Sequence, residues 1–233
     1  MDLNADMGEG FGSWSMGDDS ALLEVVTSAN VACGYHAGSP AIMRAVCEEA
    51  ARRGVSVGAQ VSYADRENFG RVARDVGHDL LREQVADQVG VLGAIAEAAG
   101  TAVRYVKPHG ALYHRVIDDP DQAAAVLAGS GSLPVLGMPG ELLSQAAAAG
   151  RAVRHEGFPD RAYGPDGRLL PRSEPGAVLT DGAEIARRAV ELATGSQPRI
   201  DSVCVHGDTP GAVDHARAVR RALEAAGLTL RGL

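Results

Sequence analysis

Strand-like and helix-like segments alternate along the whole chain. Short apolar runs alternate with longer amphipathic segments, and a glycine follows the helical segments that end near 53, 99, 149, 194 and 226. The pattern predicts strands at 2–6, 30–33, 55–59, 102–106, 133–137, 151–155 and 201–205, and helices at 18–28, 39–53, 79–99, 119–128, 140–149, 181–194 and 210–226. A last short strand is allowed at 228–230. Strands separated by helices pair in parallel, so an α/β fold of seven or eight units is expected.

Two architectures satisfy this order, a closed barrel and an open doubly wound sheet. The turn after strand 2–6 carries no GxGxxG motif, which disfavours a nucleotide-binding open sheet. We therefore predict an irregular (β/α) TIM-like barrel. No Pro/Ser-rich linker divides the chain, so residues 1–233 are predicted to form a single domain.

Composition excludes several functional classes. The formal net charge of −8, with no basic run, argues against nucleic-acid binding. There is no run of 18 apolar residues, which argues against a membrane span. Three cysteines without a CxxC pair fit reduced thiols, and no signal-peptide pattern is present, so we expect a cytoplasmic protein.

Three histidines follow three predicted strands: His36, His109 and His206. In a barrel of this kind the carboxyl ends of the strands carry the active site. Each histidine alone fits a turn residue held by a backbone carbonyl, but the shared placement favours a common site. The other histidines lack it and are interpreted as structural or surface residues: His78, His114, His155 and His215.

Polar and apolar residues alternate in the first strand. Asp2, Asn4 and Asp6 share one face of this strand, and Glu9 follows shortly after it. An edge strand with a solvated face and a functional face that leads into an active-site loop explain this pattern equally well.

Lys107 is the only lysine among 22 basic residues, and it ends a predicted strand. An ammonium is compact and changes its protonation when buried, so a functional role is favoured. Lysine, histidine and aspartate together suit water activation, oxyanion or phosphoryl stabilisation, or a divalent metal. No HExxH motif supports the metal, and no P-loop supports a conventional ATP site.

Five ordered blocks resemble the LamB/YcsF family, whose members are described as the A subunit of 5-oxoprolinase. They are DLNADMGEGFG (2–12), SANVACGYHAG (28–38), VKPHGALY (106–113), DRAYGPDGRLLPR (160–172) and VHGDTPGA (205–212). The resemblance implies an irregular barrel related to the glycoside hydrolase/deacetylase barrels. It also implies that the chain works with subunits B and C, hydrolysing 5-oxo-L-proline to L-glutamate while ATP is cleaved to ADP and phosphate. A divalent metal and a homo-oligomer stay open.

The resemblance also indicates the site residues. The catalytic candidates are Asp6, His36, Lys107, His109, His206 and Asp208, and the substrate-binding candidates are Glu9, Asn30, Gln60, Arg161 and Arg172. Lys107 and His109 are expected to stabilise an oxyanion or phosphate. Arg161 or Arg172 would pair with the substrate carboxylate, since a guanidinium fork suits a carboxylate. The loop 156–177 would be a lid or a docking surface for the partner subunits.

One position departs from the family pattern. The family usually has GAHPGYPD at the third strand end, where this chain has GAQVSYAD, so Gln60 replaces a histidine. Glutamine is no base at neutral pH, although it still forms hydrogen bonds. Two alternatives therefore stay open: a metal-dependent deacetylase or carbohydrate hydrolase, by barrel analogy alone, and a non-catalytic partner subunit.

Overall fold

Seven parallel strands form a closed barrel in the computed structural model, which describes residues 1–10, 18–195, 199–207 and 211–233. The strands are β1 (Asp2–Met7), β2 (Ser28–Ala32), β3 (Ser56–Val61), β4 (Val103–Pro108), β5 (Val135–Gly137), β6 (Val153–Gly157) and β7 (Ser202–Val205). They pair in chain order, and β1 closes the barrel against β7. The predicted TIM-like barrel is confirmed, with seven strands.

Helices connect consecutive strands on the outside. They are α1 (Asp19–Leu23), α2 (Pro40–Arg53), α3 (His78–Ala98), α4 (Gly110–Asp118), α5 (Pro120–Gly129), α6 (Glu141–Ala148), α7 (Gly182–Gly195) and α8 (Ala212–Ala225). None of the helices in these described ranges is long and apolar enough to cross a membrane.

Three predicted elements were wrong in extent or type. The helix expected at 18–28 ends at Leu23, because the β-branched residues that follow it lead directly into β2. Helix α4 was not predicted, since Pro108 and Gly110 resemble a turn, yet its buried side chains lie at helical spacing. Residues 228–230 form no strand.

The two faces of β1 settle the ambiguity of its sequence. Leu3 and Met7 point outward into the hydrophobic core between the strands and the helices. Asp2 and Asn4 point into the barrel and are buried, because β1 lies between β2 and β7. The interpretation of β1 as an edge strand with a solvated face is therefore wrong, and the polar residues line the barrel interior.

Tyr105 crosses the barrel interior over Gly58. A Cβ atom at Gly58 would overlap the Tyr105 ring, whose hydroxyl donates to Asn30 Oδ1 at 2.6 Å. We therefore expect Gly58→Ala to lower the free energy of unfolding by about 1–3 kcal/mol through overpacking. Urea unfolding measures this. The control is Gly90→Ala on the exposed face of α3, where a Cβ meets no atom within 4 Å and about 0.5–1 kcal/mol of stabilisation is expected. Equal effects at both positions would contradict the expected overlap.

Candidate active site

A cavity of about 260 Å³ opens at the carboxyl ends of the strands. This volume is just below the usual range of roughly 300–1,000 Å³ for ligand pockets, so the cavity suits a small molecule. Most of the predicted site residues line it: Asp6, Glu9, Lys107, His109, Arg161, Arg172 and His206. Placement at strand ends, deduced from the sequence, brings these residues together.

Lys107 lies at the floor of the cavity among acceptors. Its Nζ is 2.8 Å from Glu156 Oε1 and 3.0 Å from Asp6 Oδ1. It also donates to Cys204 Sγ at 3.2 Å and to Asn4 Oδ1 at 3.4 Å. The ammonium is therefore the counter-ion of two buried carboxylates, a role that the sequence did not indicate.

The electrostatics of this group follow from its burial and its charges. Burial alone would lower the pKa of Lys107, but Asp6, Cys204 and Glu156 outweigh it and raise that pKa well above its ordinary value. Burial alone would raise the pKa of Asp6, but Lys107 and the nearby histidines hold it well below its usual range. At neutral pH the floor therefore carries a charged ammonium beside an ionised Asp6.

A hydrogen-bonded network below the floor fixes these groups. Asn30 Nδ2 donates to Asn4 Oδ1 at 2.7 Å and to Asp6 Oδ1 at 2.8 Å. Asn4 Nδ2 donates to Glu156 Oε1 at 3.1 Å, and the Tyr113 hydroxyl donates to Glu156 Oε2 at 3.0 Å. Asn30 lies inside the barrel and does not line the cavity, so the structure gives it a supporting position beneath Asp6.

His206 lines the cavity close to Asp6 and forms a pair with Asp160. Asp160 Oδ2 lies 2.9 Å from His206 Nδ1 and accepts the His206 backbone N–H at 2.9 Å. The His206 ring stacks on Phe158 with ring centroids 5.4 Å apart. Asp160 therefore orients the imidazole, which suits a general acid or base.

His109 belongs to another group, with Gln60, Glu9 and His36. Gln60 Nε2 lies 3.0 Å from both Glu9 Oε1 and His109 Nδ1, and His109 Nε2 lies 3.1 Å from Phe69 O. The His36 ring stacks on His109 at 4.0 Å. Burial lowers the pKa of His109 to about 4 and, with His109 beside it, holds the pKa of His36 well below its ordinary value. His36 and Gln60 are buried behind the cavity and do not line it.

Arginines form the rim. Arg161 donates to Ala177 O at 3.1 Å and to Leu170 O at 2.6 Å, so its guanidinium fastens the loop 156–177 as well as lining the cavity. Arg172 lines the cavity from that loop, and Arg71 lines it from the β3–α3 loop, with its guanidinium 4.8 Å from the Phe69 ring centroid. The rim therefore suits an anionic group.

Sequence reasoning left several of these residues out. Glu156 and Asp160 follow a predicted strand, which places them at the mouth of the barrel, but they were not among the selected site residues. Arg71 carried no signal, because its loop was not assigned to the site. Tyr113 lies in the block VKPHGALY (106–113) but was not selected as a site residue. His114 was interpreted as structural or surface, but it lines the cavity. Asp208, a predicted catalytic residue, lies outside the described residues.

Asp19 supports the loop that carries Glu9, since its Oδ2 accepts the Gly8 N–H at 3.0 Å. Burial raises the Asp19 pKa from 3.8 to about 6. The folded state then binds the proton more tightly than the unfolded chain, so stability is lost as pH rises from about 4 to about 6. We expect Asp19→Asn to raise the free energy of unfolding at pH 7 by about 1–2 kcal/mol, after allowing for partial solvent contact, and to change little at pH 4.

Urea unfolding at pH 4 and pH 7 checks this dependence. Asp75→Asn is the matched control, because the Asp75 carboxylate is exposed and its loss should change stability by less than about 0.5 kcal/mol at both values. A gain in Asp19→Asn that is equal at the two pH values would contradict the assignment to the Asp19 carboxyl.

The model of the LamB/YcsF family matches residues 1–233. The chain belongs to the LamB/YcsF family. It is 56% identical over 243 residues to a Streptomyces coelicolor protein named as the A subunit of 5-oxoprolinase, covering 98% of this chain and 97% of that protein. The predicted family is confirmed.

Solved structures agree with this membership. The lactam utilization protein from Thermus thermophilus is 38% identical, with a TM-score of 0.90, over 100% of this chain and 99% of that one. A peptidoglycan N-acetylglucosamine deacetylase has a TM-score of 0.53 at 13% identity, over 100% of this chain and 85% of that one. This second likeness concerns the fold alone and agrees with the deacetylase-like barrel fold that the sequence predicted.

Proposed function

We propose that this chain is the A subunit of an ATP-dependent 5-oxoprolinase, which hydrolyses the lactam of 5-oxo-L-proline to L-glutamate. The observation that carries the proposal is the 56% identity, over nearly the full length of both chains, to a protein named as the A subunit of 5-oxoprolinase. The B and C subunits are the proposed partners. A cytoplasmic location fits this proposal, because the reaction consumes ATP.

The cavity suits the proposed substrate in size and charge. A small lactam acid needs a cation for its carboxylate and polar groups for its amide. Arg71 and Arg172 on the rim offer a cation for the carboxylate. The ionised Asp6 on the floor offers an acceptor for the lactam N–H. Arg161 also lines the cavity, but two of its nitrogens bond to backbone carbonyls, which leaves it fewer donors for the carboxylate.

The proposed chemistry is addition of water to the lactam carbonyl carbon. Transfer of the ATP γ-phosphoryl group to the amide oxygen makes that carbon more electrophilic and the oxygen a leaving group. His206, oriented by Asp160, takes a proton from the attacking water. The C–N bond then breaks, the ring nitrogen takes up a proton and becomes the amine of the product, and the former lactam carbon is left as an acyl phosphate. A second water hydrolyses this acyl phosphate to the side-chain carboxylate of glutamate, and inorganic phosphate is released.

We assign Lys107 a role in the reaction that differs from the oxyanion or phosphate stabilisation expected from the sequence. Its ammonium already faces Asp6, Glu156, Cys204 and Asn4, so direct stabilisation of an oxyanion requires it to exchange one of these acceptors. We assign it mainly to keeping Asp6 ionised and fixed in place. That assignment agrees with the lowered pKa of Asp6, to which Lys107 contributes.

The test measures glutamate and ADP released from 5-oxoproline and ATP. The chain is assayed alone and then with purified B and C subunits, and the corresponding chain of a relative serves as the positive control. Glutamate formation that needs the mixture and ATP is the expected result. No turnover in a mixture that is active with the relative's chain would overturn the proposal, and so would ATP-independent release of acetate from an acetylated sugar by this chain alone.

A further inference from the structure

Two clusters within the described residues bring together side chains that bind metal ions. One contains Asp6, Cys204 and His206, and the other contains Glu9, His36 and His109. In each, the candidate ligand atoms lie within 4.8 Å of one another. The first already contains a cation, because the Lys107 ammonium lies 3.0 Å from Asp6 Oδ1 and 3.2 Å from Cys204 Sγ. The second is the stronger candidate.

The geometry of the second cluster is close to that of a coordination sphere. Glu9 Oε1 lies 3.5 Å from His109 Nδ1 and 3.9 Å from His36 Nε2. Ligands 2.0–2.1 Å from a tetrahedral ion lie about 3.3 Å apart, so these two distances would have to shorten by about 0.2 Å and about 0.6 Å. The two imidazole rings are now stacked, so the His36 ring must tilt to point its nitrogen at the ion.

Orphaned polar atoms in this cluster point to a missing ligand. His36 is 1% exposed, and neither of its ring nitrogens has a hydrogen-bond partner among the described residues. The same holds for Gln60 Oε1. Buried polar atoms without partners are costly, so their presence in one place calls for an explanation. A bound cation would satisfy one His36 nitrogen and, after rotation of the amide, Gln60 Oε1.

His109 is held in the manner of a metal ligand. Its Nε2 lies 3.1 Å from Phe69 O, which fixes the proton there and turns Nδ1 toward Glu9. A histidine that binds a metal usually donates its other N–H to a carbonyl in this way. Phe69 supplies that carbonyl from a backbone with φ of +56°, the one positive φ outside glycine in the described residues. Such strain is typical of functional sites.

We propose that Glu9, His36 and His109 bind a divalent transition-metal ion of the Zn²⁺ or Co²⁺ class, with Gln60 as a fourth ligand through Oε1. Two imidazoles with a carboxylate select this class over Mg²⁺ or Ca²⁺, which prefer oxygen ligands alone. Gln60 now directs its Nε2 at Glu9 and His109. Rotation of the amide by half a turn brings Gln60 Oε1 to the position that Nε2 now occupies. There Oε1 faces the acceptor atoms of Glu9 and His109, and such an arrangement of acceptors is favourable only around a cation.

The test measures metal binding directly, so its outcome is independent of 5-oxoprolinase turnover. Protein stripped with a chelator is titrated with Co²⁺ by visible absorption and with Zn²⁺ by calorimetry. We expect one ion per chain, with the visible bands of cobalt bound by nitrogen and oxygen. His36→Gln should weaken Zn²⁺ binding beyond the roughly 10–100-fold that loss of an outer-shell partner costs, and Gln60→His should strengthen it. His114→Gln, in an exposed rim residue, is the matched control and should leave the affinity unchanged.

Two results would overturn the proposal. A sulfur-to-cobalt charge-transfer band would place the ion at Cys204 and therefore in the first cluster. Absence of binding to the wild-type chain at millimolar metal would remove the site altogether. If His36→Gln fails to fold, the wild-type spectrum and Gln60→His still decide the question, because a tighter site in Gln60→His requires that position 60 faces the ion.

Discussion

Lys107→Met should lower kcat of the assembled enzyme by about 10²–10³ and destabilise the folded chain. Methionine fills similar space but leaves Asp6 and Glu156 as buried carboxylates without a counter-ion. Breaking a buried ion pair from one side typically costs about 3–5 kcal/mol, and removing a preorganised charge at an active site costs about 10²–10³ in kcat. Urea unfolding and steady-state glutamate release measure the two effects.

Arg104→Met is the matched control for this prediction. Arg104 lies on the same strand as Lys107 but is exposed on the outside of the barrel, so its loss should change stability by less than about 0.5 kcal/mol. Lys107→Arg keeps the charge but replaces a compact ammonium with a planar fork, and we expect it to recover stability better than turnover. Normal turnover in Lys107→Met would show that Lys107 has a structural role only.

Asp160→Asn should lower kcat strongly while the chain stays folded. Asparagine keeps an oxygen for the His206 backbone N–H but presents either that oxygen or an amide N–H to His206 Nδ1, so the imidazole loses its charged orienting partner. Loss of a working general base costs about 10²–10⁴ in rate. The pH profile of kcat/KM separates this effect from misfolding, because its acidic limb should flatten or shift in the variant.

Asp166→Asn tests the same chemical change elsewhere in the loop. Asp166 is exposed, and its Oδ1 accepts the Arg168 N–H, a bond that asparagine also makes. Turnover and pH profile should match the wild type. An Asp160→Asn enzyme with an unchanged pH profile would argue that His206 does not act as the base.

The barrel could be predicted from the sequence because its signals are local. Helices such as α2 begin at a serine cap followed by proline and end at a glycine in the left-handed conformation, and these signals determine the helix whatever surrounds it. Helix α4 was not predicted because Pro108 and Gly110 resemble a turn, and its apolar face is explained by packing against α5, α6 and β4. Tertiary packing, and not local propensity, makes that segment a helix.

The location of the site could be predicted from the sequence better than the contacts between its residues. Strand ends gather at one mouth in any such barrel, so Asp6, His109 and His206 could be placed together in advance. The pairing of Lys107 on β4 with Glu156 on β6 depends on how the barrel places these two strands. The two residues are 49 positions apart in the chain (156 − 107). No local pattern encodes such a distance, and the same holds for the link from Asp160 to His206.

Lys107 can also be observed selectively by spectroscopy. Because this is the only lysine in the chain, isotopically labelled lysine would place a single side-chain probe at the floor of the cavity. Its nuclear magnetic resonance signal would need no assignment by mutagenesis. Exchange of the ammonium protons, slowed by burial, would report in real time when substrate or another protein closes the cavity above it.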